Sequence, residues 1–144
     1  MEIDDITGII IDTALNIHRD LGPGLLETVY EAVLAKKIEQ KGLKVLRQVP
    51  IDFVYDGIVF NEGFRLDLLV ENNVIVELKA VEMLAPVHSK QLLTYLRLLK
   101  LEVGLLINFN EALLKNGIHR IVNNHQPSAF SALRVNKNSD IIVN

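Results

Sequence analysis

Gly63-Phe64-Arg65-Leu66-Asp67-Leu68-Leu69-Val70, then Glu71-Asn72-Asn73, then Val74-Ile75-Val76-Glu77-Leu78-Lys79-Ala80 is the stretch from which the fold can be read. Two apolar runs of strand length flank an Asn-rich break, the pattern of a β-hairpin. Strand side chains alternate between faces. The first strand therefore divides into Arg65, Asp67 and Leu69 against Phe64, Leu66, Leu68 and Val70. The second divides into Ile75, Glu77 and Lys79 against Val74, Val76, Leu78 and Ala80. This alternation predicts one apolar face and one face that gathers two carboxylates and two cations. A three-residue loop pairs Val70 with Val74 and sets Asp67 opposite Glu77, with Cβ atoms about 4.5–5.5 Å apart. A two-residue loop would send the two acids to opposite faces. Asn73 tolerates the left-handed conformation that a three-residue loop wants, so the odd register is expected.

The chain around this hairpin is 144 residues long, which suits one domain with a sizeable core. Hydrophobic residues at 49% and charged residues at 23% place it among soluble globular proteins. There is no cysteine, so disulfides, thiolate metal sites and cysteine nucleophiles are excluded, and a metal would need oxygen or imidazole ligands. No apolar run reaches the roughly 18 residues of a membrane span, and the first residues lack a signal-peptide pattern. The expected location is the cytoplasm, with no membrane partner. The net charge of −3 argues against nucleic-acid binding through bulk positive charge. It leaves room for an enzyme whose bound cations offset phosphate charge.

In chain order, Ile3, Ile6, Ile9/Ile10, Ala14 and Ile17 mark an amphipathic helix over residues 3–20. Leu21-Gly22-Pro23-Gly24 breaks it. A second helix is predicted from Leu25 to Lys41, stopping at Gly42, with Glu27 in its first turn, where the helix dipole favours a carboxylate. The plain reading of Glu27 is such a first-turn charge; Tyr30 and Glu31 read as a half-buried aromatic and a solvated charge. Leu43 to Tyr55 reads as one strand with a kink at Pro50, and Asp56-Gly57 as a hairpin turn leading to Ile58-Val59-Phe60. Pro86 suits the first turn of a helix running to Lys100. On it His88, Gln91 and Tyr95 share a polar face, as solvent-facing or capping residues in the plain reading. Val103 to Phe109 is a near-continuous apolar run, the mark of a strand buried on both faces. Residues 117–122 suit a short edge strand, while 123–144 are Asn- and Ser-rich and predict no element.

Asp67 and Glu77 on one sheet face, with Lys79 two residues on, make a kit for phosphodiester hydrolysis. Two carboxylates, the Leu78 carbonyl between them and waters suit an octahedral Mg²⁺ or Mn²⁺. The metal would activate water, and Lys79 would orient or deprotonate that water or hold developing charge. Spacing alone leaves a second reading open, in which Arg65 and Lys79 neutralise the acids in a salt-bridge lattice.

The order of these stretches resembles the PD-(D/E)XK nuclease superfamily. Gly24-x-x-Glu27-x-x-Tyr30 is similar to the motif naming its small GxxExxY family. Arg47-Gln48-Val49-Pro50, Ile75-Val76-Glu77-Leu78-Lys79-Ala80-Val81, Gln91-Leu92-Leu93-Thr94-Tyr95-Leu96 and Gly104-Leu105-Leu106-Ile107-Asn108-Phe109 match in order. The resemblance implies an α/β (α+β) restriction-endonuclease-like core, a mixed sheet of four or five strands flanked by helices in αβββαβ order. Residues 1–122 would form that domain, with 123–144 an extension. It implies that Asp67 and Glu77 are metal ligands, Lys79 the catalytic lysine, and Glu27 an acid reaching the metal directly or through water. Gln91 would face the site; Tyr30, Arg65, His88 and Tyr95 are candidates to face substrate. Leu66 stands where the superfamily's name has proline. The implied partner is nucleic acid, DNA ahead of RNA. A homodimer would suit the cutting of two strands, though no interface signature is evident. The alternative is a nuclease fold kept as a catalytically silent binding or assembly module.

Overall fold

The structure, a computed structural model, describes residues 1–124, 130–135 and 141–143. The hairpin takes the odd register: strand β2 (Ile58–Val70) pairs antiparallel with β3 (Val74–Lys79) through Val70–Val74, Leu69–Ile75 and Leu68–Val76. The left-handed residues of its loop are Glu71 and Asn72, at φ 52° and 53°, and not Asn73 as expected. Asn73 instead donates its N–H to the Val70 carbonyl at 3.0 Å. Two successive left-handed residues make a turn whose twist matches that of the strands, and Asn73 is the extra residue that sets the register.

The division into one apolar and one charged face does not hold. Leu68 and Val70 pack with Val74, Val76 and Leu78 in one buried cluster, whereas Leu66, Leu69 and Ile75 belong to a second on the opposite side. Strict alternation would put Leu66 with Leu68, so β2 turns over at Asp67. Its neighbour β1 (Val45–Tyr55) turns over at the facing residue, where Gln48 has φ 50°. A left-handed residue reverses the pleat, and two paired strands reversing together keep their ladder. A register shift between Ile51 and Phe53 adds a second irregularity beyond Pro50. β2 is one long strand rather than two, joined to β1 by the expected turn at Asp56-Gly57, with φ 50° and 76°.

Helices cover both faces. On one side α1 (Ile3–Leu21) buries Ile6, Ile10, Ala14 and Ile17 beside α2 (Glu27–Gln40), which buries Tyr30, Leu34, Ala35 and Ile38. On the other, α3 (Pro86–Leu99) opens on its proline and buries Leu92, Leu96, Leu98 and Leu99. β4 (Val103–Asn108) is buried throughout and parallel to β3, so α3 is a crossover between them. After a short 3₁₀ turn (Leu114–Gly117), β5 (Ile118–Val122) forms the expected edge strand. Phe130–Val135 (β6) and Ile141–Val143 (β7), where no element was expected, extend the sheet beyond β1. The order is β5-β4-β3-β2-β1-β6-β7, and the five strands of residues 1–122 form the mixed, helix-flanked core.

Candidate active site

The β2–β3 ladder stops after Leu68–Val76, where Asp67 and Glu77 come face to face. Their carboxylates replace the missing rungs. The Asp67 N–H donates to Glu77 Oε2 at 3.1 Å, and the Leu78 N–H donates to Asp67 Oδ2 at 2.9 Å. A strand residue sends its N–H and C=O toward the same edge. The Leu78 carbonyl therefore faces the gap that the acids border. Beyond the gap, fully buried Asn108 at the end of β4 fixes the chain leaving β3. Its amide accepts from the Val81 N–H at 3.1 Å and donates to the Val81 carbonyl at 2.9 Å.

Glu77 is 7% exposed. Burial pushes its carboxyl well above the ordinary 4.5; the charge of Asp67 and a hydrogen bond to it add to the shift, and the Asp67 N–H and Lys79 only partly oppose it. A carboxyl so placed holds its proton more tightly than a free one, and a nearby cation would offset that. Glu27, the first residue of α2, is raised chiefly by burial; Lys79 lowers it, and Asp67 and Glu31 raise it further. Half-buried Tyr95 on α3 is pushed up to about 12 by burial and by the charges of Glu77 and Asp67. Its ring stacks on Phe64 at 4.2 Å. Asp67, Glu77, Lys79, Glu27 and Tyr95 thus share one electrostatic neighbourhood, approached from β2, β3, α2 and α3.

Of the other expected site residues, Arg65, Tyr30 and His88 are engaged with groups of their own. Arg65 pairs with Glu62 at 2.9 Å, so the lattice of Arg65 and Lys79 with the two acids does not form; among the described residues neither Asp67 nor Glu77 has an ion-pair partner. Tyr30 was expected to face substrate and is fully buried, stacked on Phe109 at 4.5 Å. Its hydroxyl donates to the Gly22 carbonyl at 2.6 Å and accepts from the Leu25 N–H at 3.1 Å, tying down the loop that leads into Glu27. His88 accepts from the Ala85 N–H and caps its own helix, and Gln91 is exposed one turn before Tyr95. Glu31, read as solvated, is buried and bound to Arg47 at 3.0 Å. Sequence reasoning missed Glu31, Gln48 and Asn108 as parts of the site's surroundings. Two signals were available: Gln48 and Asn108 lie in stretches that match the superfamily in order, and Glu31 stands four residues after Glu27 and Gln48 across from Asp67.

Among the described residues no three His, Asp or Glu side chains form a ready-made metal cluster. The acids that meet are two, and Glu27 stands off them, which suits contact through water rather than direct ligation. Two carboxylates with no ion-pair partner among the described residues, one of them largely desolvated, and a carbonyl facing the same gap fit a hard divalent cation with water completing its shell.

A mixed sheet between helices, with an acid pair on adjoining strands and a lysine two residues on, defines a restriction-endonuclease-like domain. A family model of the PD-(D/E)XK nuclease superfamily matches residues 4–121, and the chain belongs to that superfamily. Its members generally work with divalent metals on nucleic acid. No curated protein and no solved structure matches the chain. Among the described residues no helix is long and apolar enough to cross a membrane.

Proposed function

We propose that the chain is a Mg²⁺- or Mn²⁺-dependent nuclease that hydrolyses phosphodiester bonds, with DNA ahead of RNA as substrate. The observation that carries this is the pair of Asp67 and Glu77, brought together across a broken ladder without an ion-pair partner among the described residues. Burying uncompensated carboxylates is costly, and the cost makes sense where a cation is to be held. Asp67, Glu77 and the Leu78 carbonyl would hold it, with Glu27 reaching it through water. Such an ion makes water a better nucleophile near neutral pH and offsets charge gathering on the scissile phosphate.

The chain's own residues do the rest. Lys79 orients the attacking water or holds charge on a phosphate oxygen. Tyr95 keeps its hydroxyl proton at any working pH and so can donate to an anionic oxygen. Water adds to phosphorus, the bond to the leaving oxygen breaks, and a proton goes to that oxygen; no covalent intermediate forms. In the same reading the chain sits in the GxxExxY group and works in the cytoplasm. Residues 1–122 are its nuclease unit, residues 123–144 are an extension, and two copies act together where both strands are cut.

Incubation with single-stranded, duplex, branched and RNA substrates plus Mg²⁺ or Mn²⁺ tests this. Lys79→Ala is expected to lose about a hundredfold or more in rate. Activity surviving in that variant would belong to a contaminant. The net charge of −3 favours a second reading, a silent module that uses the fold for binding or assembly. The two separate in a thermal melt. A metal site gains about 2.7 kcal/mol at a hundred times the dissociation constant, a gain absent from Asp67→Ala. A melt unmoved by millimolar metal would leave the module.

A further inference from the structure

We infer that Gln48 is a positioning residue for Asp67, and that the Glu31–Arg47 pair holds Gln48 for that task. This rests on the metal site proposed above. The Gln48 amide nitrogen donates to Glu31 Oε1 and, at 3.4 Å, to Asp67 Oδ1. Both neighbours are carboxylates, so the amide orientation follows from chemistry, since its oxygen would face acceptors on both sides. Glu31 is 5% exposed, and its other oxygen takes two hydrogen bonds from Arg47, at 3.2 and 3.0 Å. Each oxygen of this buried carboxylate therefore has its own donor.

The backbone points the same way. Gln48 is left-handed, a conformation that non-glycine residues seldom adopt, and it lies at the turnover of β1 opposite the turnover of β2 at Asp67. Glycine would adopt that conformation freely. A glutamine there supplies what glycine cannot, an amide that reaches both acids. Asp67 is then held at Oδ1 by Gln48 and at Oδ2 by the Leu78 N–H, one donor on each oxygen. A carboxylate oxygen has two lone pairs, so each keeps capacity for a cation.

The chain of contacts begins on α2, which also carries Glu27. Glu27 and Glu31 are four residues apart on one helix, the first entering the site and the second holding the clamp on Asp67. One helix thereby sets two walls of the cradle. Outer contacts of this kind aim a ligand's lone pairs, and their loss weakens metal affinity by about 10–100-fold.

The test is a thermal melt of the whole chain titrated with MnCl₂, with wild type, Gln48→Met, Glu31→Gln and the double variant each also melted in chelator. Methionine keeps the length and bulk of Gln48 and removes the amide. The expected result is a metal midpoint shifted about tenfold or more in each single variant, each read against its own melt in chelator, which should fall in Gln48→Met because Glu31 Oε1 loses its donor. The double variant should bind no more weakly than the weaker single, because both changes cut one chain of contacts. A metal midpoint unmoved in Gln48→Met overturns the inference, as does a lowered chelator melt with an unmoved midpoint, which would leave Gln48 a structural residue only. A wild type that ignores Mn²⁺ overturns the metal site itself, and the inference with it. Should Glu31→Gln fail to fold, Gln48→Met decides alone.

Discussion

Glu77 is where the site's electrostatics can be measured without substrate. Its carboxyl sits well above 4.5 in the folded chain, mainly through burial and then through Asp67. A raised folded value means that the native state keeps a proton which the unfolded chain releases. This contribution to stability is complete below the ordinary 4.5 and is lost as pH climbs toward the folded value. In chelator, stability should therefore fall above about pH 4.5, by up to ~1.4 kcal/mol per pH unit from this group. Glu77→Gln keeps an acceptor for the Asp67 N–H and imitates the protonated acid, so its denaturant midpoint should be flatter over that range. Urea titrations at several pH values compare the two, and parallel profiles would show that Glu77 ionises freely. The facing of these acids was legible because strand period and loop length fix it together. Glu31 and Gln48 were not. Glu31 reads as a solvated charge and Gln48 has no role in its matched stretch, because only the pleat reversal at Gln48 turns one toward the other.

The loop between α1 and α2 shows what the three-residue spacing of Gly24, Glu27 and Tyr30 does in this chain. Gly24 sits at φ 102°, Glu27 is the first residue of α2, and Tyr30 follows three residues later, facing inward. Its hydroxyl holds the Gly22 carbonyl and the Leu25 N–H, so the entry into the helix that aims Glu27 is fastened from below. Tyr30→Phe keeps the ring stacked on Phe109 and removes both hydrogen bonds. A stability loss of about 1–2 kcal/mol by urea denaturation is expected, since water can reach the partly exposed loop. Activity should fall alongside it through a less well-placed Glu27. Gly24→Ala, forced to hold a positive φ, should cost about 1 kcal/mol or more; a neutral result would mean that the loop readily adopts another path. The helix and its first-turn acid could be read from spacing. The inward turn of Tyr30 could not, because its hydroxyl partners are backbone groups that leave no mark in the sequence.

Across the whole molecule, the crossover from β3 through α3 to β4 could be read from a continuous apolar run, whereas β6 and β7 come from an Asn- and Ser-rich tail without strand periodicity. The overall charge of −3 also has a consequence for how nucleic acid is met. Arg47 and Arg65, which flank the strand turnover, are bound to Glu31 and Glu62. Lys79 is the cation whose charge reaches both Glu27 and Glu77. With Arg47 and Arg65 so engaged among the described residues, a bound divalent ion would carry much of the compensation for substrate phosphate. Each phosphate neutralised by a side chain steepens the fall of log affinity with log salt by about 0.9 for duplex DNA. One or two such contacts predict that kcat/KM at fixed metal drops only about tenfold or less between 50 and 200 mM monovalent salt. A drop of about a thousandfold would require six or more phosphate contacts, and hence a basic surface supplied by something other than the groups beside Asp67 and Glu77. The same titration on single-stranded and duplex substrates compares the two, since single strands release fewer counterions per contact and should give the shallower slope.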